Sequence, residues 1–135
     1  MPQAFSVRLV SPERILFEGE AEMVVCRPID GAIAFLHGHV PYLGALADAE
    51  LRIVLPAGQG AGGEVAAAVH GGFVEMTGEH LVVLSDLAKL RGDIDVARAE
   101  QSRRVAQEAL ARDPDDADAQ AALARAETRL AVAQG

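Results

Sequence analysis

The sequence is poor in the residues that mark several large classes of protein. It has one cysteine, Cys26, so an internal disulfide is excluded. It has no tryptophan, one tyrosine and four phenylalanines, too few for a platform that stacks nucleic-acid bases. The formal net charge of −8 also opposes a surface that follows phosphates or anionic lipids. We therefore expect no nucleic-acid partner and no direct membrane binding.

Long apolar runs are also missing. No stretch approaches the ~20 consecutive apolar residues of a membrane-spanning helix. Met1 leads directly into a strand-like pattern, so we expect no signal or transit peptide. We therefore expect a soluble protein in the cytosol. Cys26 lies in an apolar run and is expected to be a small core residue rather than a reactive thiol.

Apolar residues make up half of the chain, which is enough for a sizeable core. Phe5, Val7 and Leu9 alternate with polar residues, as in a half-buried strand. Gly19 is expected to end the second strand, and Asp30-Gly31 to form a hairpin turn. The predicted strands cover residues 4–10, 15–17, 21–27, 32–36, 42–47, 51–55, 64–70, 73–77 and 81–85.

The spacing of these strands predicts the fold class. Turn signals every ~8–12 residues, with no helical pattern between them, are typical of a β-sandwich or barrel. We predict a β-sandwich N-terminal domain at residues 1–86, followed by an α-helical hairpin at residues 93–135. Residues 87–92 are predicted to be the linker between them.

The two predicted helices are rich in alanine and arginine. The first runs from Ile94 to Ala111 with Asp93 as its N-cap, and the second from Ala117 to Ala133. Their apolar faces are thin, so the pair is marginal unless it lies on another surface, and we expect a mobile or switchable appendage. The residues expected on these faces are Ile94, Ala97, Val105, Ala109, Leu123, Ala126, Leu130 and Ala133.

Four histidines raise the question of a metal site. His37 and His39 flank a glycine in a loop, and no cysteine or aspartate stands at ligand spacing from them. His70 and His80 add no recognisable ligand pattern. We predict no metal site, and we expect His39 to have a positional role beside Pro41.

Three further motifs have simple explanations. The glycine-rich run 58–63 lacks the following helix of a phosphate loop, so it is predicted to be a flexible hairpin tip. The acidic run 113–118 lacks the glycine and the final glutamate of a calcium loop, so its charges are expected to cap the second helix. Residues 109–126 resemble a tetratricopeptide junction, but no second copy follows. No catalytic triad is recognisable, and we predict a non-catalytic protein.

Several short motifs occur in a specific order along nearly the whole chain. They are Val10–Arg14, Phe17–Ala21, Asp30–Ile33, Gly38–Pro41, Gly71–Glu75, Val82–Asp86, Ile94–Ala99, Arg125–Ala126 and Arg129–Leu130. Their order and spacing resemble the epsilon subunit of bacterial F-type ATP synthase. Three positions depart from the family pattern, because Ala34 stands at a common glycine, His37 at a common proline and Lys89 at a common acid.

This resemblance implies a non-catalytic rotor subunit in the central stalk of a proton-translocating ATP synthase, with no cofactor required. The sandwich would dock on the gamma subunit and on the c-ring of the membrane sector. It would lie peripherally at the cytoplasmic face of the bacterial plasma membrane, which it would meet only through the complex. The residues implied for contact with the c-ring or gamma are Asp30, Gly31, Gly38, His39 and Pro41.

The resemblance also implies that the hairpin has two states. Folded on the sandwich, it permits turnover, and extended along gamma into the alpha-beta hexamer, it inhibits ATP hydrolysis. In some bacterial members a regulatory ATP binds the folded hairpin. The residues that match this site are Ile94, Asp95, Arg98, Ala99, Arg125 and Arg129. A simpler explanation stays open, in which Asp95 caps a helix and Arg98 is an ordinary surface residue.

Two other functions stay open from the sequence. One is a stand-alone β-sandwich binding module with a helical protein-interaction tail. The other is a small enzyme that uses the loop of His37 and His39. Co-purification with a membrane-bound ATPase separates the rotor subunit from both.

Overall fold

The strands build two facing sheets, and the chain ends in two helices. The computed structural model describes residues 3–57 and 63–135. The strands are β1 (Phe5–Val10), β2 (Ile15–Ala21), β3 (Met23–Cys26), β4 (Ile33–Phe35), β5 (Tyr42–Ala45), β6 (Ala49–Val54), β7 (Glu64–Val69), β8 (Phe73–Met76), β9 (His80–Leu84) and β10 (Lys89–Leu90). The helices are α1 (Val96–Arg112) and α2 (Ala117–Gln134). The predicted fold class is confirmed.

Each sheet has five strands among the residues described. Sheet A has the order β2-β1-β9-β8-β5, and sheet B has the order β10-β7-β6-β3-β4. Strands β1 and β9 run parallel, whereas the other neighbours are antiparallel. The predicted glycine-rich tip at 58–63 lies outside the described residues except for Gly63.

The core lies between the two sheets and follows the alternation seen in the sequence. Phe5, Val7 and Leu9 are buried, as predicted, and they meet residues of both sheets. Cys26 is also buried there, as predicted, and burial raises the pKa of its thiol to about 12. The thiolate form is therefore negligible at neutral pH.

One strand prediction was wrong, and the predicted linker contains a short strand. Gly19 does not end β2, which runs on to Ala21 and pairs Gly19 with Val7. A Cβ at position 19 would lie 3.3 Å from the Phe17 ring, so the glycine leaves room for that ring on the strand surface. The residues assigned to the linker 87–92 are also not a free connection, because Lys89 and Leu90 add the edge strand β10 to β7.

The start of the first helix was also predicted wrongly. Residues 91–93 form a 3-10 turn, and α1 begins at Val96 with Asp95 as its N-cap instead of Asp93. The carboxylate of Asp95 accepts a hydrogen bond from the Arg98 N–H at 3.1 Å. The second helix begins as expected from its acidic run, because Asp116 accepts the Ala119 N–H at 3.0 Å.

The helices meet through small residues, although not through all of those predicted. Ala97 and Val105 are exposed, and α1 buries Ala99 and Ala106 instead. These alanines stand seven residues apart on one face, which allows close approach of α2. On α2, Ala126 and Leu130 are buried as predicted, whereas Leu123 and Ala133 are half-buried. A cavity of about 620 Å³ remains between the helices beside Val105.

Helix α2 lies on the outer face of sheet B. Val132 packs with Ala66 and Ala68 of β7, and Ile94 joins this contact. The Arg91 Nε–H donates to the Val132 carbonyl at 2.7 Å and ties the 3-10 turn to the end of α2. None of the helices in the described residues is long and apolar enough to span a membrane.

Candidate functional site

The motif at the start of α1 presents its charged side chains to solvent. Asp95 uses one carboxylate oxygen to cap the helix, and it adds negative charge at the positive end of the helix dipole. Asp95 and Arg98 are both exposed. The cap therefore fixes the backbone of the motif while both side chains stay accessible to a ligand.

A cleft of about 290 Å³ lies where this motif meets α2 and β10. Five of the six residues predicted for the ATP site line it, and they come from both helices. The lining residues are Lys89, Ile94, Asp95, Arg98, Ala99, Ser102 and Arg129. Arg125 is not among them, although its charge acts on Arg129. Packing of the hairpin therefore assembles the cleft from segments far apart in sequence.

The cleft is positively charged, and part of that charge is withdrawn from water. The pKa of the Arg129 guanidinium is lowered, first by burial and then by the charges of Arg125 and Arg98. Asp48 opposes this shift. The ion pairs formed within residues 3–57 and 63–135 do not include Arg98, Arg125 or Arg129. An anion in the cleft would relieve this repulsion.

His70 is a buried polar residue beside this cluster that the sequence did not single out for it. Its side chain is 2% exposed, and its Nδ1 lies 3.8 Å from Asp48 Oδ1. Burial, Arg129 and Arg125 lower the pKa of the imidazole from 6.5 to about 4, whereas Asp48 acts in the opposite direction. The ring is therefore neutral at pH 7. Its position two residues beyond Ala68, on the face that carries α2, was the available signal.

Asp30 and Gly31 form the turn between β3 and β4. Gly31 has φ +129°, a backbone conformation that residues with a Cβ rarely adopt, and its N–H donates to the Pro28 carbonyl at 3.0 Å. Asp30 is exposed, and the neighbouring Ile29 is 70% exposed. This turn therefore offers one acid and one large apolar side chain to a partner.

Gly38, His39 and Pro41 lie in the loop between β4 and β5. The His39 ring packs edge-on against Phe35 with centroids 4.8 Å apart, and its Nδ1 lies 2.7 Å from the Val40 carbonyl. His39 thus anchors the loop to the core, in agreement with its expected positional role. In the described part of the chain, no three His, Cys, Asp or Glu side chains are placed to hold a metal ion.

The structure does not bring these two groups of predicted contact residues together. The turn with Asp30 precedes β4 and the loop with His39 follows it, so they lie at opposite ends of that strand. The Gly38 N–H donates to the Gly78 carbonyl in the turn between β8 and β9. The Ile29 N–H donates to the carbonyl of Ala45, the last residue of β5. They therefore form two separate surfaces.

An apolar row on the outer face of sheet A was missed by the sequence reasoning. Phe73 pairs with Leu84, Leu84 with Val10, and Val10 with Ile15, so one row crosses four neighbouring strands. Phe73, Leu84 and Ile15 are 56%, 45% and 47% exposed. Strand alternation alone places Phe73 and Leu84 outside, whereas Ile15 comes opposite Val10 only through the irregularity in the β1–β2 register. Only the register therefore puts these residues in one row.

Comparison with known protein families covers almost the whole chain. Residues 4–91 match the family described as ATP synthase, Delta/Epsilon chain, beta-sandwich domain. Residues 93–134 match the family described as ATP synthase, Delta/Epsilon chain, long alpha-helix domain. The chain belongs to the delta/epsilon family of ATP synthase chains. The family predicted from the sequence is thus confirmed, and as a member the chain is a non-catalytic subunit.

Curated members of the delta/epsilon family resemble this chain over most of its length. The ATP synthase epsilon chain of Thermobifida fusca is 42% identical over 95% of this chain and 90% of its own. The epsilon chain of Streptomyces griseus is 39% identical over 96% of this chain and 95% of its own. The epsilon chain of Chromobacterium violaceum is 40% identical over 94% of this chain and 86% of its own.

Solved structures of ATP synthases contain the same fold. A chain in the Euglena gracilis mitochondrial ATP synthase, solved with OSCP, F1 and c-ring, has a TM-score of 0.79 at 20% identity. The match covers 100% of this chain and 84% of that one. A chain in the Tetrahymena thermophila central stalk and c-ring gives a TM-score of 0.51 at 12% identity, over 68% of this chain and 70% of that one.

Proposed function

We propose that this chain is the epsilon subunit of the central stalk in a proton-translocating F-type ATP synthase. Its sandwich couples the gamma subunit to the c-ring, and its hairpin regulates ATP hydrolysis and binds ATP in the folded state. The subunit lies peripherally at the cytoplasmic face of a bacterial plasma membrane. The names of the relatives support the complex, and the cleft shared by the α1 motif and Arg129 supports the regulation.

The apolar row on sheet A supports docking to gamma. A continuous exposed apolar patch on a soluble protein marks a protein-interaction surface. Phe73 lies near the end of this row and is its most exposed large side chain. We assign this row, defined by Ile15, Val10, Leu84 and Phe73, to the contact with gamma.

The two ends of β4 offer different surfaces to the remaining partners. The Asp30 turn combines an acid with Ile29, whereas the His39 loop presents Val40 and Pro41. Because they are separate, we assign one to the c-ring and expect the other to face gamma. Cross-linking of Asp30→Cys and of Val40→Cys in the assembled complex shows which end meets which partner.

The contact between α2 and sheet B supports a hairpin that can leave the sandwich. The contact consists of alanines, Val132, Ile94 and the Arg91 hydrogen bond. It buries little apolar area, so little stability is lost when the hairpin leaves. A ligand shifts such an equilibrium by its differential affinity for the two states. The site between Arg98 and Arg129 exists only when the hairpin is folded. Bound ATP therefore favours the folded state over the state that extends into the alpha-beta hexamer.

The rotor assignment is tested by assembly. We expect the isolated chain to bind its gamma subunit at micromolar concentration and to co-purify with the membrane-bound ATPase. Phe73→Glu should weaken this binding at least tenfold, whereas Val105→Glu, an exposed site on α1, should not. A wild-type chain that bound no gamma would favour the stand-alone binding module instead.

The regulatory role is tested by removing the helices without touching the sheet. A chain that ends at Gly92 retains β10, which a cut at residue 88 would remove. We expect this chain to assemble normally and to raise ATP hydrolysis by the complex. Unchanged hydrolysis in a fully assembled complex would rule out inhibition by the hairpin.

A further inference from the structure

The buried nitrogens without a partner in the described residues are concentrated at one place. They are Nδ1 and Nε2 of His70 and Nε of Arg129. Buried side-chain nitrogens are nearly always hydrogen-bonded, so this cluster calls for a further partner there, either a water or a bound group. His70 directly follows β7, Arg129 belongs to α2, and the charge of Arg129 acts on His70, so the unsatisfied groups lie near each other at the docking contact.

The register of sheet B places His70 close to the cleft, although its buried ring is not among the residues that line the cleft. Lys89 lines the cleft and pairs with Ala68 of β7. Side chains alternate along a strand, so His70 follows Ala68 on the face that carries α2. Diagonal neighbours on a sheet face stand ~7–8 Å apart, within reach of a bound polyphosphate. The charges of Arg129 and Arg125 also act directly on His70.

We infer that His70 is a further ligand-binding residue of this cleft, and that it holds the phosphate end of the nucleotide together with Arg129. This inference rests on the proposed ATP site and adds a contact from the sandwich to it. A phosphate oxygen between the two residues accepts from Arg129 Nε and from a ring nitrogen of His70. The ligand then bridges sheet B and α2 and holds the hairpin down.

Binding through His70 takes up a proton. The groups that face the ring are Asp48 from the β5–β6 connection and Arg125 and Arg129 from α2. Without ligand, burial and then the charge of Arg129 keep the ring neutral, and its pKa is about 4. Phosphate charge beside the ring favours the imidazolium and raises this pKa. A group whose pKa rises on binding makes binding tighter as the pH falls toward the raised value.

The test is calorimetric titration of the full-length chain with ATP and, separately, with inorganic tripolyphosphate at pH 6, 7 and 8. His70→Gln keeps a hydrogen-bond donor and does not titrate, and His80→Gln, an exposed site on β9, is the matched control. Both probes titrate near pH 6–7 themselves, but identically for every variant. The difference between variants therefore reports His70 alone.

We expect wild type and His80→Gln to gain about tenfold in affinity from pH 8 to pH 6 relative to His70→Gln, with net proton uptake in two buffers of different ionisation enthalpy. Tripolyphosphate should show the same difference as ATP. If affinity depended on pH equally in His70→Gln and wild type, with equal proton uptake, the inference would be overturned. The partner of the His70 ring would then be a water. A wild type that binds neither probe at millimolar concentration would remove the ATP site itself.

Discussion

Arg91 and Val132 are joined by a hydrogen bond of 2.7 Å from the guanidinium Nε to the backbone carbonyl. Arg91 follows β10 directly, so the bond links the sheet to the last turn of α2. Its guanidinium also lies 3.6 Å from the Glu50 carboxylate of β6. One side chain therefore spans the junction that must open if the hairpin leaves the sandwich.

Replacement of Arg91 by alanine should loosen the hairpin. It removes the bond to Val132, which carries a charged donor and is worth about 1.5–3 kcal/mol. We expect backbone amides of α2 to exchange hydrogen at least tenfold faster, while those of β1 and β9 are unchanged. Arg112→Ala, at the exposed end of α1, is the control. Equal protection of α2 in both variants would show that Arg91 does not hold the helix.

Asp95 and Asp93 should differ in their contribution to α1. Loss of the N-cap in Asp95→Ala should lower the free energy of unfolding by about 1 kcal/mol. Among the described residues, the Asp93 carboxylate makes an exposed contact of 3.9 Å with Arg14, so Asp93→Ala should cost less than about 0.5 kcal/mol. Urea unfolding of both variants measures this difference. A larger loss of stability in Asp93→Ala than in Asp95→Ala would show that Asp93 is the N-cap.

Gly72 and Gly71 provide a matched pair in the turn between β7 and β8. Both have positive φ, +98° and +71°, but a Cβ at Gly72 would collide with the Leu84 carbonyl, whereas Gly71 has open space. We expect Gly71→Ala to cost about 1 kcal/mol through backbone strain alone. Gly72→Ala should cost more than about 3 kcal/mol, because the β8–β9 pairing must shift. Similar midpoints in thermal unfolding would contradict this account.

Without ligand, His70 should make the fold sensitive to acid. Its pKa is about 4 in the folded chain and 6.5 ordinarily, so the unfolded chain binds the proton more readily. The stability that this provides is complete above pH 6.5 and is lost as the pH falls toward 4. Between pH 7.5 and 4.5, wild type should lose about 2 kcal/mol more than His70→Gln in urea unfolding. Parallel losses would show that the ring is not buried as described.

The sequence predicted the elements whose pattern is local. The alternation of Phe5, Val7 and Leu9 was enough to place β1, and the acidic run before Ala117 was enough to start α2. Two acids, Asp93 and Asp95, were both suitable caps, and only the 3-10 turn at 91–93 decides between them.

Features that depend on docking could not be predicted. The pairing of β10 with β7 and the position of α2 over Ala66 and Ala68 are contacts between distant segments. His70 gains its environment only from that docking, so its spacing from Ala68 becomes informative only once the position of α2 is known. The motif at Ile94–Ala99 did predict residues of the cleft. Its residues are close in sequence, and the start of α1 alone positions them.

The most direct test measures whether ATP holds the hairpin on the sandwich. Labels at Asp115→Cys, at the hairpin tip, and Glu79→Cys, on the β8–β9 turn, report the distance between them. Cys26 stays unlabelled because it is buried. Arg98→Ala and Arg129→Ala each remove one positive charge from the cleft, and Arg104→Ala on the exposed part of α1 is the control.

We expect millimolar ATP to bind wild type and Arg104→Ala, and to shift both labelled chains toward the single distance of the folded hairpin. Arg98→Ala and Arg129→Ala should lose at least tenfold in affinity and keep the broader distance distribution of the ligand-free chain. No heat of binding and no change of distance in wild type would contradict the account.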